Sequence, residues 1–476
     1  MGAKHLSVRA WITLGLACAL GAQAPVARAD DGSEDRLARL EALLLEQTER
    51  IRRLEDDVSH WRQQAESRPA VAERVVRTQA TRAAPRAAPA AAAVAPYEQP
   101  GITPDERVEL TRLSGGADRL VRAPSALVGR ASTGGVRWGG YLTAEMRANS
   151  SRNTTFDLHR LILQLDAPIT DCVDFTAEVE IEHGGIGGGS DGDVRVEQAV
   201  VTARLVDWFQ PKIGAPLIPF GRYNLHHDDP LADFTIRPWT ARYFVPTGFG
   251  QPGIGVEGSI GVGCDARLAY DVVLTSGFAD DFTAGGGVRG GRQEWDVDNN
   301  ENKQLWARVV LAGRNRFLDR YEIGLSGTTG KLDDAGDEAL TGWGVDWLLR
   351  KGPFELQGEY LRYDIDRGAG APAGTVHGLD GLWAEAAWHF MPCAWRACDT
   401  CLITPTSHFT LAARYQTTDL DDRSVGAAKQ DDAESFGVAL NYRLTERTVL
   451  RLDHTWLHFE NAADERELTF SLSTYF

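Results

Sequence analysis

The residues best able to do chemistry lie together between Ala215 and Gln251, a stretch that carries Arg222, His226, His227, Asp228, Asp229, Asp233, Arg237 and Arg242. Imidazole and carboxylate groups ligate metals, and guanidinium groups hold anions through paired N–H donors. Adjacent residues such as His226-His227-Asp228-Asp229 seldom aim at one ion without a preformed scaffold, so a polar loop accounts for them and no metal is expected. Three Arg against three Asp leave the stretch formally neutral. Cys393, Cys398 and Cys401 form C-x4-C-x2-C, the spacing of plant-type iron–sulfur ligands. No fourth Cys follows Cys401, and a disulfide-tightened turn suits an exported chain better. No Gly-rich phosphate loop opens a helix and no nucleophile–base pair is identifiable, so neither an enzyme nor a cofactor is implied.

The elements that position these residues follow from the hydrophobic period, which becomes two after residue 136. Val173, Phe175, Ala177, Val179 and Ile181 alternate with Asp174, Thr176, Glu178, Glu180 and Glu182, placing apolar groups on one face and charges on the other. About 16 such segments recur, each near the roughly 9–11 residues that a tilted strand needs to cross a bilayer. Their expected spans are 137–148, 155–166, 173–183, 193–204, 208–214, 252–262, 266–277, 303–313, 319–329, 340–350, 353–364, 380–390, 407–417, 433–444, 447–457 and 466–476. Short links such as PITD, KGP and LTER alternate with long polar ones such as GGIGGGSDGD and TDLDDRSVGAAKQDD. That alternation is how outer-membrane barrels are built, with short turns toward the periplasm. A soluble sandwich fits less well, because sixteen strands exceed what one sandwich holds. Trp138, Tyr141, Trp343, Trp347, Tyr360, Trp388, Phe390 and Tyr475 also gather near strand ends, as interfacial girdles do. The expected fold is therefore all-β, an antiparallel transmembrane β-barrel of about 16 strands over residues 136–476.

The first 135 residues read differently. Residues 1–29 have a basic start, an apolar run from Ala10 to Ala22 and the small-x-small site Ala27-Arg28-Ala29, which together make a signal peptide. Over residues 33–66, Leu37, Leu44, Ile51 and Val58 occupy one heptad position and Leu40, Leu54 and Trp61 the other, predicting a short coiled coil that needs partner chains. Residues 67–135 are an Ala/Pro-rich linker and approach segment, too poor in apolar side chains to bury a core. An even strand count places both barrel ends, and hence the coiled coil, in the periplasm, where the linker could touch peptidoglycan. Residues 136–476 hold 31 Lys and Arg against 50 Asp and Glu, so nucleic acid is not a partner. Cys172, Cys264, Cys393, Cys398 and Cys401 all fall in expected periplasmic turns, and a Cys172–Cys264 bridge stays open.

Three stretches carry a family resemblance: FDLHRLILQLDAPITDCVDFTAEVEIE with its basic pair His159-Arg160, VRVEQAVVTARLVDWFQPKIGAPLIPFGRYN with the turn Pro219-Phe220-Gly221, and RPWTARYFVPTGFGQPGIGVEG. They resemble the phosphate-selective porins O and P. The resemblance implies a homotrimer of 16-stranded channels in outer-membrane lipid, passing small hydrophilic or anionic solutes. It also implies that the terminal aromatic Phe476 is read by barrel-assembly machinery. The link from Ala215 to Gln251 is then the expected constriction loop, folded into the lumen, with Arg222, Arg237, Arg242, His226, Asp228 and Asp229 at the constriction. By strand parity Arg160, Arg195, Arg308, Arg414, Arg443 and Arg451 face the lumen. Glu197, Glu257, Asp271, Asp346, Glu355, Glu385 and Asp453 share it, and this mixed charge is set against the cationic lining that the resemblance implies. A structural protein tethering the membrane to the cell wall is the other function these features suit.

Overall fold

A strand with one apolar and one polar face needs two different surroundings, and a closed ring in a bilayer supplies both. The computed structural model describes residues 131–476 apart from 134, 185–192, 247, 281, 284, 294, 297, 299, 369–375, 397–399, 401 and 422–427. The expected signal peptide, coiled coil and all but the end of the linker lie outside the described residues. The first described strand is β1 (Ala131–Thr133). The wall comprises β2 (Val136–Asn149), β3 (Thr155–Thr170), β4 (Val173–Glu182), β5 (Asp193–Ala203), β6 (Gln210–Ala215), β7 (Gly253–Val262), β8 (Ala266–Thr275) and β9 (Gln304–Gly313). It continues through β10 (Arg320–Lys331), β11 (Ala339–Lys351), β12 (Phe354–Asp366), β13 (Gly378–Phe390), β14 (His408–Asp419), β15 (Ala433–Thr445), β16 (Thr448–Phe459) and β17 (Glu465–Tyr475). Each strand from β2 to β17 pairs antiparallel with its neighbour in sequence, and β17 closes on β2 with Tyr475 opposite Tyr141 and Glu467 opposite Asn149. Closure leaves neither end strand with a bare backbone edge facing lipid. β1 lies within the expected linker and doubles back on β2, Thr133 opposite Val136.

Each expected span overlaps one wall strand; the largest end shift is in β3, which runs to Thr170 rather than 166. Side-chain burial shows which face meets what. On β10, Glu322, Ser326 and Thr328 are buried while Ile323 and Leu325 are exposed, Leu325 at 60%. That is the reverse of a water-soluble protein and the expected state of a barrel that is polar inside and lipid-facing outside. Among the described residues no helix is long and apolar enough to cross a membrane, so the crossing elements are strands.

Two residues expected in the girdle face the other way. Tyr141 and Tyr475 share strand parity with the inward Thr143 and Ser473, and they are buried inside as an edge-to-face pair with ring centroids 5.7 Å apart. Their position at a strand end had suggested lipid contact, but parity decides the face. Trp138, Trp343 and Trp388 do stand exposed on the outside. Cys172, Cys264 and Cys393 are free, exposed thiols, so Cys172 and Cys264 are not bridged. Cys398 and Cys401 lie outside the described residues.

Candidate functional site: the lumen and its inward loop

Between β6 and β7 the chain turns inward as residues 216–252 and meets the inner wall on many sides. Its entry is Pro219-Phe220-Gly221, where Gly221 adopts φ +71°; a side chain there would also strike Glu359. Beyond this turn successive backbone N–H groups point at one acceptor. Arg222 and Tyr223 donate to Glu359 Oε2 at 2.7 and 3.0 Å, Thr240 Oγ1 donates to Glu359 Oε1 at 2.6 Å, and Gly221 N donates to Ser326 Oγ at 3.0 Å. One buried carboxylate on β12 therefore fixes both the entry and the middle of the loop.

Most of the loop's charged groups are engaged with the wall. Arg222 is buried against Glu322 of β10 at 2.5 Å. Asp229 meets Arg160 Nε at 3.2 Å and Arg237 at 3.4 Å. Asp228 accepts a hydrogen bond from the Tyr475 hydroxyl at 2.7 Å, and Asp233 meets Arg443 at 2.8 Å. Of the two imidazoles, His227 donates to the Asn224 carbonyl at 2.7 Å and contacts Glu197 at 3.2 Å. Burial lowers its pKa, but the Glu197 carboxylate outweighs this and raises it to about 10. His226 shifts the other way, held well below its ordinary range by burial and the neighbouring Arg222. Arg242 is exposed, its guanidinium 5.5 Å from the Tyr243 ring and, among the described residues, without a carboxylate partner.

The six wall arginines all point into the lumen, where each meets a carboxylate or the loop backbone. Arg160 and Arg195 share Glu180 and Glu182. Arg308 forms a bidentate pair with Asp346 at 2.6 and 2.9 Å. Arg414 pairs with Glu385 at 2.7 Å and donates to the Ile236 carbonyl. Arg443 donates to the Pro230 carbonyl at 2.7 Å, and Arg451 to the carbonyls of Asp229 and Ala232. Buried pairs of this kind fix geometry more than they add net stability.

Sequence reading missed three features. Lys212 on β6, wholly buried, bridges Glu257 at 2.8 Å and Asp271 at 2.6 Å. Glu359 was not singled out. The link 276–303, polar and Gly-rich in composition, sends Phe278, Phe282 and Val288 inward to join Phe220, Phe244, Phe249, Trp306 and Tyr363 in one apolar cluster. Rings there stack at 5.2 Å for Phe249 with Phe278 and 5.0 Å for Phe220 with Tyr363. The signal was present: Trp306 has the parity of Arg308, two residues on, so it had to point inward.

Beside β14 to β17 and β2, where Trp239, Tyr243 and Phe459 continue this cluster, the loop leaves a cavity of about 120 Å³ lined by these three and by Phe234, Arg242 and Arg414 among others. Two groups of side chains have the composition of a metal site: Glu178, His227 and Asp228, and Asp157, His159 and His183. In the first, both ring nitrogens of His227 already have protein partners. In the second, Arg160 contacts His159 Nε2 while Asp157 faces Nδ1, so neither ring nitrogen is clear.

A sequence model of the family described as phosphate-selective porin O and P matches residues 132–466. An uncharacterized protein of Aquifex aeolicus (strain VF5) is 34% identical over 127 residues, 26% of this chain and 29% of that protein; the chain thus spans under a third of that relative's length. Among solved structures, an anion-selective porin from Comamonas acidovorans has a TM-score of 0.46 at 12% identity, over 72% of this chain and 99% of that one. The outer membrane channel DcaP of Acinetobacter baumannii has a TM-score of 0.45 at 14% identity, over 73% and 100%.

Proposed function

Because the chain belongs to the phosphate-selective porin O and P family, an outer-membrane channel family, we propose that its barrel passes small hydrophilic solutes by passive diffusion, anions among them. The observation that carries this is the inward loop, which narrows the lumen and leaves Arg242 exposed at the cavity while the other loop cations are paired. A lining with nearly every charge matched selects weakly, so the few cations without a carboxylate set the preference. Phosphate falls in the solute class that this reading allows. A homotrimer is the assembly proposed, with the coiled coil at 33–66 joining the three chains in the periplasm.

A second reading, a tether between membrane and cell wall in which conduction is incidental, draws on the extent to which the loops fill the lumen. Reversal potentials across planar bilayers in a KCl gradient separate the two. The channel reading expects discrete ion steps and a lower chloride-to-potassium permeability ratio in Arg242→Ala, by about twofold for one exposed charge. Arg222→Ala, which strips Glu322 of a buried partner, should instead weaken the fold by about 3 kcal/mol. Intact protein without ion steps would favour the tether.

A further inference from the structure

The cavity beside β14 to β17 has a lining that inorganic phosphate alone does not call for. Trp239 and Tyr243 of the loop and Phe459 of β16 face it, as do Phe234 and, packed against that ring, Gly437, where a side chain would come within 2.8 Å of it. The Arg414 guanidinium caps Phe234 at 4.2 Å from the ring centroid. Aromatic walls of this kind gain little from a fully hydrated ion and much from an apolar body.

The charges around the cavity are cationic in excess. Five cations line it, Arg147, Arg152, Arg242, Arg414 and Lys429, against two carboxylates, Glu465 and Glu467. Arg147, Arg414 and Lys429 each have a carboxylate partner, Glu145, Glu385 and Glu465. Arg152 and Arg242 are exposed and have none among the described residues. Size completes the description. An enclosed apolar cavity of roughly 150 Å³ takes up benzene, so a cavity of about 120 Å³ matches one ring or a short branched chain.

We propose that this cavity is a binding station for organic carboxylates with a ring-sized apolar body. The body lies against Trp239, Tyr243 and Phe459, and the carboxylate accepts hydrogen bonds from Arg242, with Arg152 drawing the anion in from the mouth. The station rests on the channel reading above and narrows its solute class. It makes an aromatic monocarboxylate a better ligand than phosphate, because guanidinium binds both anions while only the carboxylate brings surface for the rings to cover.

The test is current block of the full-length protein in planar bilayers, with sodium benzoate, sodium phosphate and uncharged benzyl alcohol added in turn. Benzoate should halve the open-channel current at a concentration about tenfold below that of phosphate, and benzyl alcohol should act more weakly than benzoate. Arg242→Gln should raise the benzoate half-blocking concentration about fivefold and Trp239→Leu about threefold, each with phosphate block changed less in Trp239→Leu. Should either variant fail to fold, judged by heat-modifiable gel mobility, Arg152→Gln at the exposed mouth provides the same test of charge, with a smaller rise expected. Phosphate blocking as well as benzoate, or benzoate block indifferent to these substitutions, overturns the proposal and leaves the channel standing. Absence of ion steps overturns the channel reading instead, and the station with it.

Discussion

The two sides of the lumen are filled by the same two means in different proportions. Toward β8 to β13 the inward loops, pinned there by Glu359 and Glu322, also pack aromatic rings against Trp306 and Tyr363, and side chains such as Phe278 and Phe249 have no exposed surface. Toward β14 to β17 and β2 the same loop is held by ions and hydrogen bonds, from Arg443, Arg451, Asn441 and Tyr475, and a cavity remains. Dispersion favours contact on every side and leaves no gaps. Directional bonds fix the loop backbone at points and let space persist between them. Close packing thus seals the β8 to β13 side, whereas on the β14 to β17 side space is left between the bonded points.

The comparison breaks most readily at Trp306. Trp306→Ala removes the ring that touches Phe220, Phe249 and Phe278, and it should cost about 4 kcal/mol of stability. If the aromatic half is the seal, single-channel conductance should rise as well; destabilised protein with unchanged conductance would assign these rings to packing alone.

The bonded half is probed at His227, with pH as the variable. Because its pKa is raised from 6.5 to about 10, its stabilising effect is fully present below pH 6.5 and is lost as pH rises through about 10. His227→Gln should cost about 2 kcal/mol at pH 6. The gap between wild type and variant in thermal unfolding should shrink steadily up to pH 10. A gap that is flat across this range would mean that the ring holds the loop as a neutral group.

The smallest effect is expected at Gly437→Ala, whose new methyl group would crowd Phe234 at 2.8 Å. A shift of the ring into the cavity should lower conductance modestly, at a cost near 1 kcal/mol. Unaltered conductance would place the conducting path elsewhere.

Much of the wall was legible because a period of two admits only two faces, and parity alone aims Arg308, Arg414 and Arg451 inward. Where position was used in place of parity, as for Tyr141 and Tyr475, the face came out wrong. The loop's charged residues could be named from sequence, but their partners could not: Arg222 finds Glu322 and Asp228 finds Tyr475 across separations of 100 and 247 residues. No local pattern records such pairings. That Arg242 has no carboxylate partner among the described residues was hidden for the same reason, since it depends on which carboxylates other arginines had already taken.

The seam between β2 and β17 also bears on how the molecule is made. Tyr141 and Tyr475 become neighbours only after more than 300 intervening residues have been laid down in order. Ring closure of that span is entropically the slowest pairing in the wall. Until it occurs, two strands present unsatisfied backbone, which hydrocarbon does not tolerate. Assembly is therefore all or nothing at its last step: loss of β17 would not give a slightly narrower pore but a chain with no stable place in the bilayer.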